Sequence, residues 1–141
     1  MNHSIAPAAP TVVPSHLNPA HIEAGNRTLA EMQDLASSLT FAAMLTDDGF
    51  EIVHLKGSQA DGGRFASMSS SVQALSDAVA HELKIGTNEY VIIASELGHV
   101  IQLRVQGHPI VLAALFDTHE TLGKGLSIAR IAARRMAALI A

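Results

Sequence analysis

Apolar residues recur at spacings of three and four along three stretches of the chain, and this spacing predicts three amphipathic helices. The first helix begins near Pro19, and its apolar stripe consists of Leu29, Met32, Ala36 and Leu39. The second covers about residues 63–83, with a stripe of Phe65, Met68, Val72, Leu75 and Val79. The third covers about residues 121–140, with a stripe of Leu122, Leu126, Ala129, Ala133, Met136 and Ile140.

Five shorter apolar stretches predict strands. Residues 41–46 and 50–55 flank Asp47-Asp48-Gly49, and this pattern predicts a hairpin because glycine supplies the positive φ of such turns. Residues 90–95 and 99–106 are joined by a turn near Gly98, and the second of these strands alternates apolar and polar positions. Residues 110–116 are apolar throughout, which is typical of a central strand covered on both faces.

The predicted order of elements is therefore α-β-β-α-β-β-β-α. Consecutive strands joined by short turns favour a mostly antiparallel sheet of five strands, with the first and last helices on one face and the middle helix on the other. This is an α+β sandwich of three layers. Residues 1–18 hold Pro7, Pro10 and Pro14 among small residues, so we expect a disordered tail followed by a single domain at 19–141.

Composition narrows the class of protein. Charged residues make up 16% of the 141 residues, against about a quarter in a typical domain, and apolar residues make up 48%. Such a balance indicates that a partner covers part of the apolar surface. The net charge of -4 argues against a nucleic-acid partner. No apolar run approaches a membrane span, and the first residues lack a signal-peptide pattern, so we expect a cytoplasmic protein without a membrane partner.

No arrangement of residues predicts catalysis, a metal site or a cofactor. The chain has no cysteine, and its eight histidines lack the H-x-x-x-H spacing of a helical metal site. Its serines lack a G-x-S-x-G motif, and Gly123-Lys124-Gly125 lacks the spacing of a phosphate-binding loop. We therefore expect that the protein is not an enzyme.

The middle helix and the strand that follows it are the predicted interaction surface. Beside its apolar stripe, the helix carries small residues that allow close approach of another helix: Ala66, Ser67, Ser69, Ser70, Ser71 and Ala74. The following strand contains Val91, Ile92 and Ile93, and such a strand at an open sheet edge favours pairing with another chain.

Over about residues 20–140 the sequence resembles the roadblock/LC7 family. The resemblance rests on the element order, on residues 42–52 (AAMLTDDGFEI), on residues 110–117 (IVLAALFD), and on Leu122-Gly123 followed by Ala129-Arg130. It implies a roadblock/longin-like fold with a profilin-like shape. Gly125 departs from the plainer helix start that is typical of the family.

The resemblance also implies a function. Roadblock-like domains form dimers through the middle helix and the next strand, and bacterial relatives bind small Ras-like GTPases. In this chain the implied homodimer interface contains Met68, Val72, Leu75, Val79, Tyr90 and Ile92. Arg130 and Arg134 on the last helix are candidates for contact with an acidic partner. The expected function is that of a non-catalytic dimeric scaffold or regulator.

A small-molecule sensor is the alternative, because sheets flanked by helices also enclose ligands. Against it, the chain offers only four phenylalanines and one tyrosine to line a pocket. An enclosed cavity of a few hundred cubic ångströms would favour this alternative.

Overall fold

The computed structural model describes residues 12–55 and 61–141 of the chain. It begins with a 3-10 turn at Ser15–Leu17 and continues, in chain order, with α1 Pro19–Leu35, β1 Leu39–Thr46, β2 Glu51–His54, α2 Gly62–Glu82, β3 Val91–Ser95, β4 Gly98–Arg104, β5 Ile110–Phe116 and α3 Leu122–Leu139. The predicted order α-β-β-α-β-β-β-α is confirmed.

The five strands form one antiparallel sheet in the order β2-β1-β5-β4-β3. Strand β5 lies at its centre, and all of its side chains are buried except the half-buried Leu115. This burial explains why β5 is apolar throughout, since helices cover both of its faces. Within the described residues, strand β3 forms one edge of the sheet and pairs only with β4.

Helices α1 and α3 pack together on one face of the sheet and enclose the main core, which contains Leu29, Met32, Ile101, Phe116 and Met136. Helix α2 lies on the opposite face over a much smaller apolar cluster of Leu45, Ala66, Val111 and Ala113, with Phe65 at its margin. The predicted three-layer arrangement is confirmed. Apolar packing therefore holds α1 and α3 on the sheet more firmly than it holds α2.

Polar side chains begin each helix. Asn18 Oδ1 accepts from the N–H of Ala20 at 3.0 Å, and Asp61 Oδ1 accepts from the N–H of Arg64 at 3.1 Å, so each caps the first turn of its helix. Thr121 caps α3 in the same way. In the first hairpin, Gly49 has φ of +93°, so the Asp-Asp-Gly turn forms as predicted.

Two residues of the predicted apolar stripes, Leu39 and Leu122, do not lie where the stripes placed them. Helix α1 ends at Leu35, because Ala36 is extended with φ of −143°, and Leu39 begins β1 instead of closing the helical stripe. Leu122 was predicted to be buried but is 43% exposed. It lies in the first turn of α3, before the helix reaches the sheet at Gly125, where a Cβ would lie 3.0 Å from Ile101 Cδ1.

The start of the chain also differs from the predicted tail in one respect. Residues 1–11 lie outside the described part, so the prediction of disorder is untested there. Residues 15–17, however, form the 3-10 turn, and the ring of His16 stacks on Phe50 with centroids 4.4 Å apart. Among the described helices, none is long and apolar enough to cross a membrane.

Candidate protein interface

The side of α2 that faces the sheet is small and polar. Its buried residues are Gly62, Ala66, Ser69, Gln73 and Ala80. A helix normally turns its most apolar side toward the core, and α2 does not. Hydrogen bonds must therefore supply much of what attaches this helix to the sheet.

Gln102 on β4 is the centre of these hydrogen bonds. Its Oε1 accepts from Ser69 Oγ at 2.7 Å, while its Nε2 donates to the carbonyl of Ser69 and to Gln73 Oε1 at 3.2 and 3.0 Å. All three side chains are at least 97% buried. Since buried polar groups are costly unless paired, this closed arrangement sets where α2 lies over β4.

Arg104, two residues further along β4, extends the network toward solvent. Its Nη2 lies 3.0 Å from Asp77 Oδ2 on α2 and 3.2 Å from Asp47 Oδ1 in the β1–β2 turn. Burial alone would lower the pKa of Arg104, but the hydrogen bonds and charges of Asp77 and Asp47 raise it above its usual value. The turn is also fixed to α2 directly, because Ser70 Oγ donates to the carbonyl of Asp47 at 2.6 Å.

The apolar stripe of α2 faces solvent instead of the sheet. Met68, Leu75 and Val79 are 59%, 68% and 49% exposed, and Val72 between them is half-buried. At 100° per residue, the stripe lies about a third of a turn around the helix from the side that contacts the sheet. Exposed apolar side chains aligned in this way make this side of α2 a candidate interaction surface.

The edge of β3 continues this surface. Val91 pairs with Gln102 and the register is regular to Ser95, so the alternation of an antiparallel ladder turns the N–H and C=O of Ile92 and Ala94 away from β4. The side chain of Ile93 is 42% exposed, whereas Ile92 packs against the main core. The edge therefore offers both backbone hydrogen-bonding groups and an apolar side chain.

Between α2 and β3 the surface forms an open groove of about 730 Å³. Leu75 and Val79 line one wall, Tyr90 and Val91 the other, and Ile85, which is 71% exposed, lies at one end. The groove is open to solvent. It thus differs from the enclosed cavity that would favour a small-molecule sensor.

Comparison with known proteins identifies the fold. No family model and no curated protein matches the sequence. In structure, the chain is similar to Myxococcus xanthus MglB, with a TM-score of 0.71 and 13% identity over 86% of this chain and 95% of that one. An MglB with a tetrameric arrangement aligns at 0.68, with 19% identity over 96% of each chain. A Roadblock/LC7 domain from Streptomyces avermitilis aligns at 0.64, with 15% identity over 82% and 90%. The chain has the roadblock/LC7 fold.

On this roadblock fold, the six residues predicted from the sequence occupy two environments. Met68, Leu75, Val79 and Tyr90 lie at the surface along the groove or the helix stripe. Val72 and Ile92 are partly buried, and Ile92 contacts the main core. Sequence reasoning missed Ile93 and Ile85. Val91, Ile92 and Ile93 are all apolar, so no pattern within β3 singles out Ile93; its position on the same sheet face as Gln102 follows from the register with β4.

Of the two predicted partner-contact arginines, Arg130 lies beside the groove between α2 and β3, and Arg134 lies one turn further along α3. The guanidinium of Arg130 lies 5.2 Å from the centre of the Tyr90 ring and 3.8 Å from Glu89 Oε2. With Arg134 it lines a groove of about 380 Å³ beside Leu103 at the end of β4. Arg134 forms no ion pair with any residue in the described ranges.

Within residues 12–55 and 61–141, no group of three or more His, Asp or Glu side chains is arranged to hold a metal ion. His99 is buried beside Phe116 at 6.0 Å between ring centres, and its Nε2 has no hydrogen-bond partner in these ranges. Its position under α3 places it in the main core, away from the surface of α2.

Proposed function

We propose that this protein is a non-catalytic regulator that forms a homodimer through α2 and β3, and that the dimer binds a small Ras-like GTPase. The observation that carries the proposal is the outward-facing apolar stripe of α2. In a monomer, Met68, Leu75 and Val79 would remain in water while the same helix buries Ser69 and Gln73. Covering the stripe with a second copy removes this unfavourable exposure.

The β3 edge supports a two-fold arrangement. If β3 of one protomer pairs antiparallel with β3 of another, the two sheets join, and the free N–H and C=O of Ile92 and Ala94 gain partners. The stripes of the two α2 helices then lie on the same face of the joined sheet. One surface that meets its own copy in this way is an isologous interface. The tetrameric arrangement of a solved MglB supports self-association for this fold.

The proposed GTPase partner rests on the roadblock/LC7 resemblance. Since no catalytic group is assigned to this chain, the dimer would act by positioning the catalytic groups of the GTPase itself. Arg130 and Arg134 are the proposed contacts for an acidic surface of the partner, because Arg134 is exposed and Arg130 is held at the margin of the groove by Tyr90. We place this function in the cytoplasm, which fits a chain without cysteine.

The proposal is tested by solution mass followed by partner binding. Light scattering of the purified chain at tens of micromolar should give twice 14.8 kDa. Purified small Ras-like GTPases from the same genome, loaded with GDP or with a GTP analogue, are then titrated into the dimer by calorimetry. We expect at least one GTPase to bind with an affinity that depends on its nucleotide.

Two variants make the test specific. Arg134→Glu should weaken GTPase binding while leaving the dimer intact, because Arg134 lies outside the α2 stripe. Ala94→Pro removes an outward N–H that β4 does not use, so it should weaken the dimer without unfolding the chain. A monomeric wild-type chain would overturn the dimer. A stable dimer that binds none of the GTPases would overturn the partner.

A further inference from the structure

The outer edge of β3 is short, and its length limits how a second copy of the chain can pair with it. The strand covers the five residues Val91–Ser95. Its regular ladder with β4 turns the N–H and C=O groups of Ile92 and Ala94 outward. These two residues are therefore the ones whose backbone groups a second copy of β3 can reach.

Two antiparallel copies of β3 can bring these backbone groups together in three registers, with the two-fold axis beside Ile92, Ile93 or Ala94. With the axis beside Ile93, Ile92 of each copy pairs with Ala94 of the other, and all five residues of each strand lie in the joint ladder. With the axis beside either neighbour, that residue pairs only with its own copy. The ladder is then shorter, and half of the inter-chain hydrogen bonds are lost.

The register centred on Ile93 also suits the side chains. Ile93 is 42% exposed and lies on the face of the sheet that carries α2. On the axis, the two Ile93 residues form a non-hydrogen-bonded pair, the closer kind, with Cα atoms about 4.5 Å apart. Two β-branched side chains at this distance stabilise a sheet. A register centred on Ala94 would instead place Ile93 opposite the polar Ser95 of the other copy.

The same register brings opposite charges together at both ends of the joint ladder. Glu96 follows β3 and is exposed, and the residue opposite it on the other copy is Tyr90. The guanidinium of Arg130 lies 5.2 Å from the centre of the Tyr90 ring. Arg130 Nη2 also lies 3.8 Å from Glu89 Oε2, which is too far for a hydrogen bond, so this contact leaves donors of Arg130 for a second carboxylate.

The alternative registers lack this match of charge. Centred on Ala94, the ladder would place Glu96 opposite the apolar Ile92, and centred on Ile92 it would place Glu96 opposite Asn88. An exposed ion pair adds little affinity, but it favours the one arrangement in which both charges are paired.

We propose that a second copy of this chain docks on β3 in the register centred on Ile93, so that Glu96 of each copy binds Arg130 of the other. This inference rests on the dimer proposed above and specifies its register, which the exposed stripe of α2 alone leaves open. Arg134 lies one turn further along α3, so the proposed GTPase contact at Arg134 is separate from the pair with Glu96.

Single-cysteine variants of the full chain measure the register, because the chain contains no cysteine. Ile92→Cys, Ile93→Cys and Ala94→Cys each place a thiol on the two-fold axis of one register. A disulfide needs Cα atoms about 4.4–6.8 Å apart, and in the proposed register only the two copies of residue 93 are that close. The other two positions meet their own copies diagonally, at about 7–8 Å. Under mild oxidation we expect Ile93→Cys to form cross-linked dimers at least about tenfold faster than the other two variants.

Charge reversal tests the ion pair. Glu96→Arg and Arg130→Glu each replace two attractive contacts by repulsive ones, so each should raise the dimer dissociation constant about 5- to 30-fold. The contact of Arg130 with Glu89 is present in monomer and dimer alike and cancels in this constant. When the two variants are mixed, each heterodimer again has opposite charges at both ends, so native mass spectrometry should show heterodimers in excess of the random proportion. Glu23→Arg, at an exposed position on α1, is the matched control and should change neither result.

The outcomes separate this inference from the dimer itself. A dimeric chain that cross-links faster through Ile92→Cys or Ala94→Cys, or through none of the three variants, would overturn the register and leave the dimer standing. Charge variants that mix at the random proportion would overturn the pair of Glu96 with Arg130. A monomeric wild-type chain would overturn the proposed dimer and this inference together.

Discussion

Truncating Leu75 gives the sharpest test of the proposed dimer, because this side chain is exposed in the protomer and central to the apolar stripe. Leu75 is 68% exposed. Burying a whole leucine side chain contributes about 1.5–3 kcal/mol, so assembly can gain about two-thirds of that, or about 1–2 kcal/mol. In a two-fold interface both copies of Leu75 are buried, so the loss of free energy on truncation is doubled. We therefore expect Leu75→Ala to cost the dimer about 2–4 kcal/mol.

That cost corresponds to a dimer dissociation constant about 30- to 1,000-fold higher, since 1.4 kcal/mol is a tenfold change. Sedimentation equilibrium over a concentration series measures this constant for the wild type and the variant. Leu35→Ala is the matched control, because Leu35 is 55% exposed but lies on α1, on the opposite face of the sheet. Equal dissociation constants for Leu75→Ala and the wild type would show that the stripe is not at a dimer interface.

Four further substitutions test other parts of the structure. Gln102→Leu leaves the buried polar groups of α2 unpaired, so we expect a loss of about 2–4 kcal/mol in the free energy of unfolding, measured with urea. Gly98→Ala should lose about 1–3 kcal/mol, since its Cβ would lie 2.7 Å from a backbone carbonyl oxygen, whereas Gly123→Ala should gain about 0.5–1 kcal/mol in open space on a helix. Arg135→Gln should raise the pKa of Glu31, which hydrogen bonds from Arg135 at 3.0 and 3.2 Å now lower, and carboxyl NMR titration measures this change.

The outcomes that would contradict these expectations are specific. A Gln102→Leu variant as stable as the wild type would mean that α2 is held by its apolar cluster alone. Equal effects of the two glycine substitutions would remove the argument from close backbone approach. Because the pKa of Glu31 is lowered in the folded chain, its ionised form stabilises the fold at pH values above the ordinary pKa of 4.5, and this stability is lost as the pH falls through the lowered pKa. Arg135→Gln should therefore reduce the stability at neutral pH but not at strongly acidic pH.

Local pattern was enough to predict the elements and their layers. The apolar stretch of β5 and the Asp-Asp-Gly turn before Phe50 each act over a few residues, so their consequences are visible in the sequence. Antiparallel pairing then follows from the short connections between strands. Boundaries were less certain where a stripe continued by coincidence, as with Leu39, which is buried from a strand and not from a helix.

For the candidate interface, local pattern predicted the apolar residues but not which of them face solvent. The sequence placed an apolar stripe on α2, but an apolar stripe ordinarily faces the core. Its exposure depends on Gln102, which lies 29 residues from Gln73 and satisfies the polar side of the helix. Likewise, Ile92 and Ile93 are adjacent apolar residues, and only the register with β4 shows which of them packs inward.

The sequence by itself thus determined the helices, the strands, their order and the apolar residues available for an interface, because periodicity and turn chemistry are local properties. Only the tertiary structure decided which side of α2 faces water and which edge of the sheet is free. It also brought Arg130 of α3 beside Tyr90, the residue before β3. These features arise from contacts between residues far apart in the chain, and no local spacing records them.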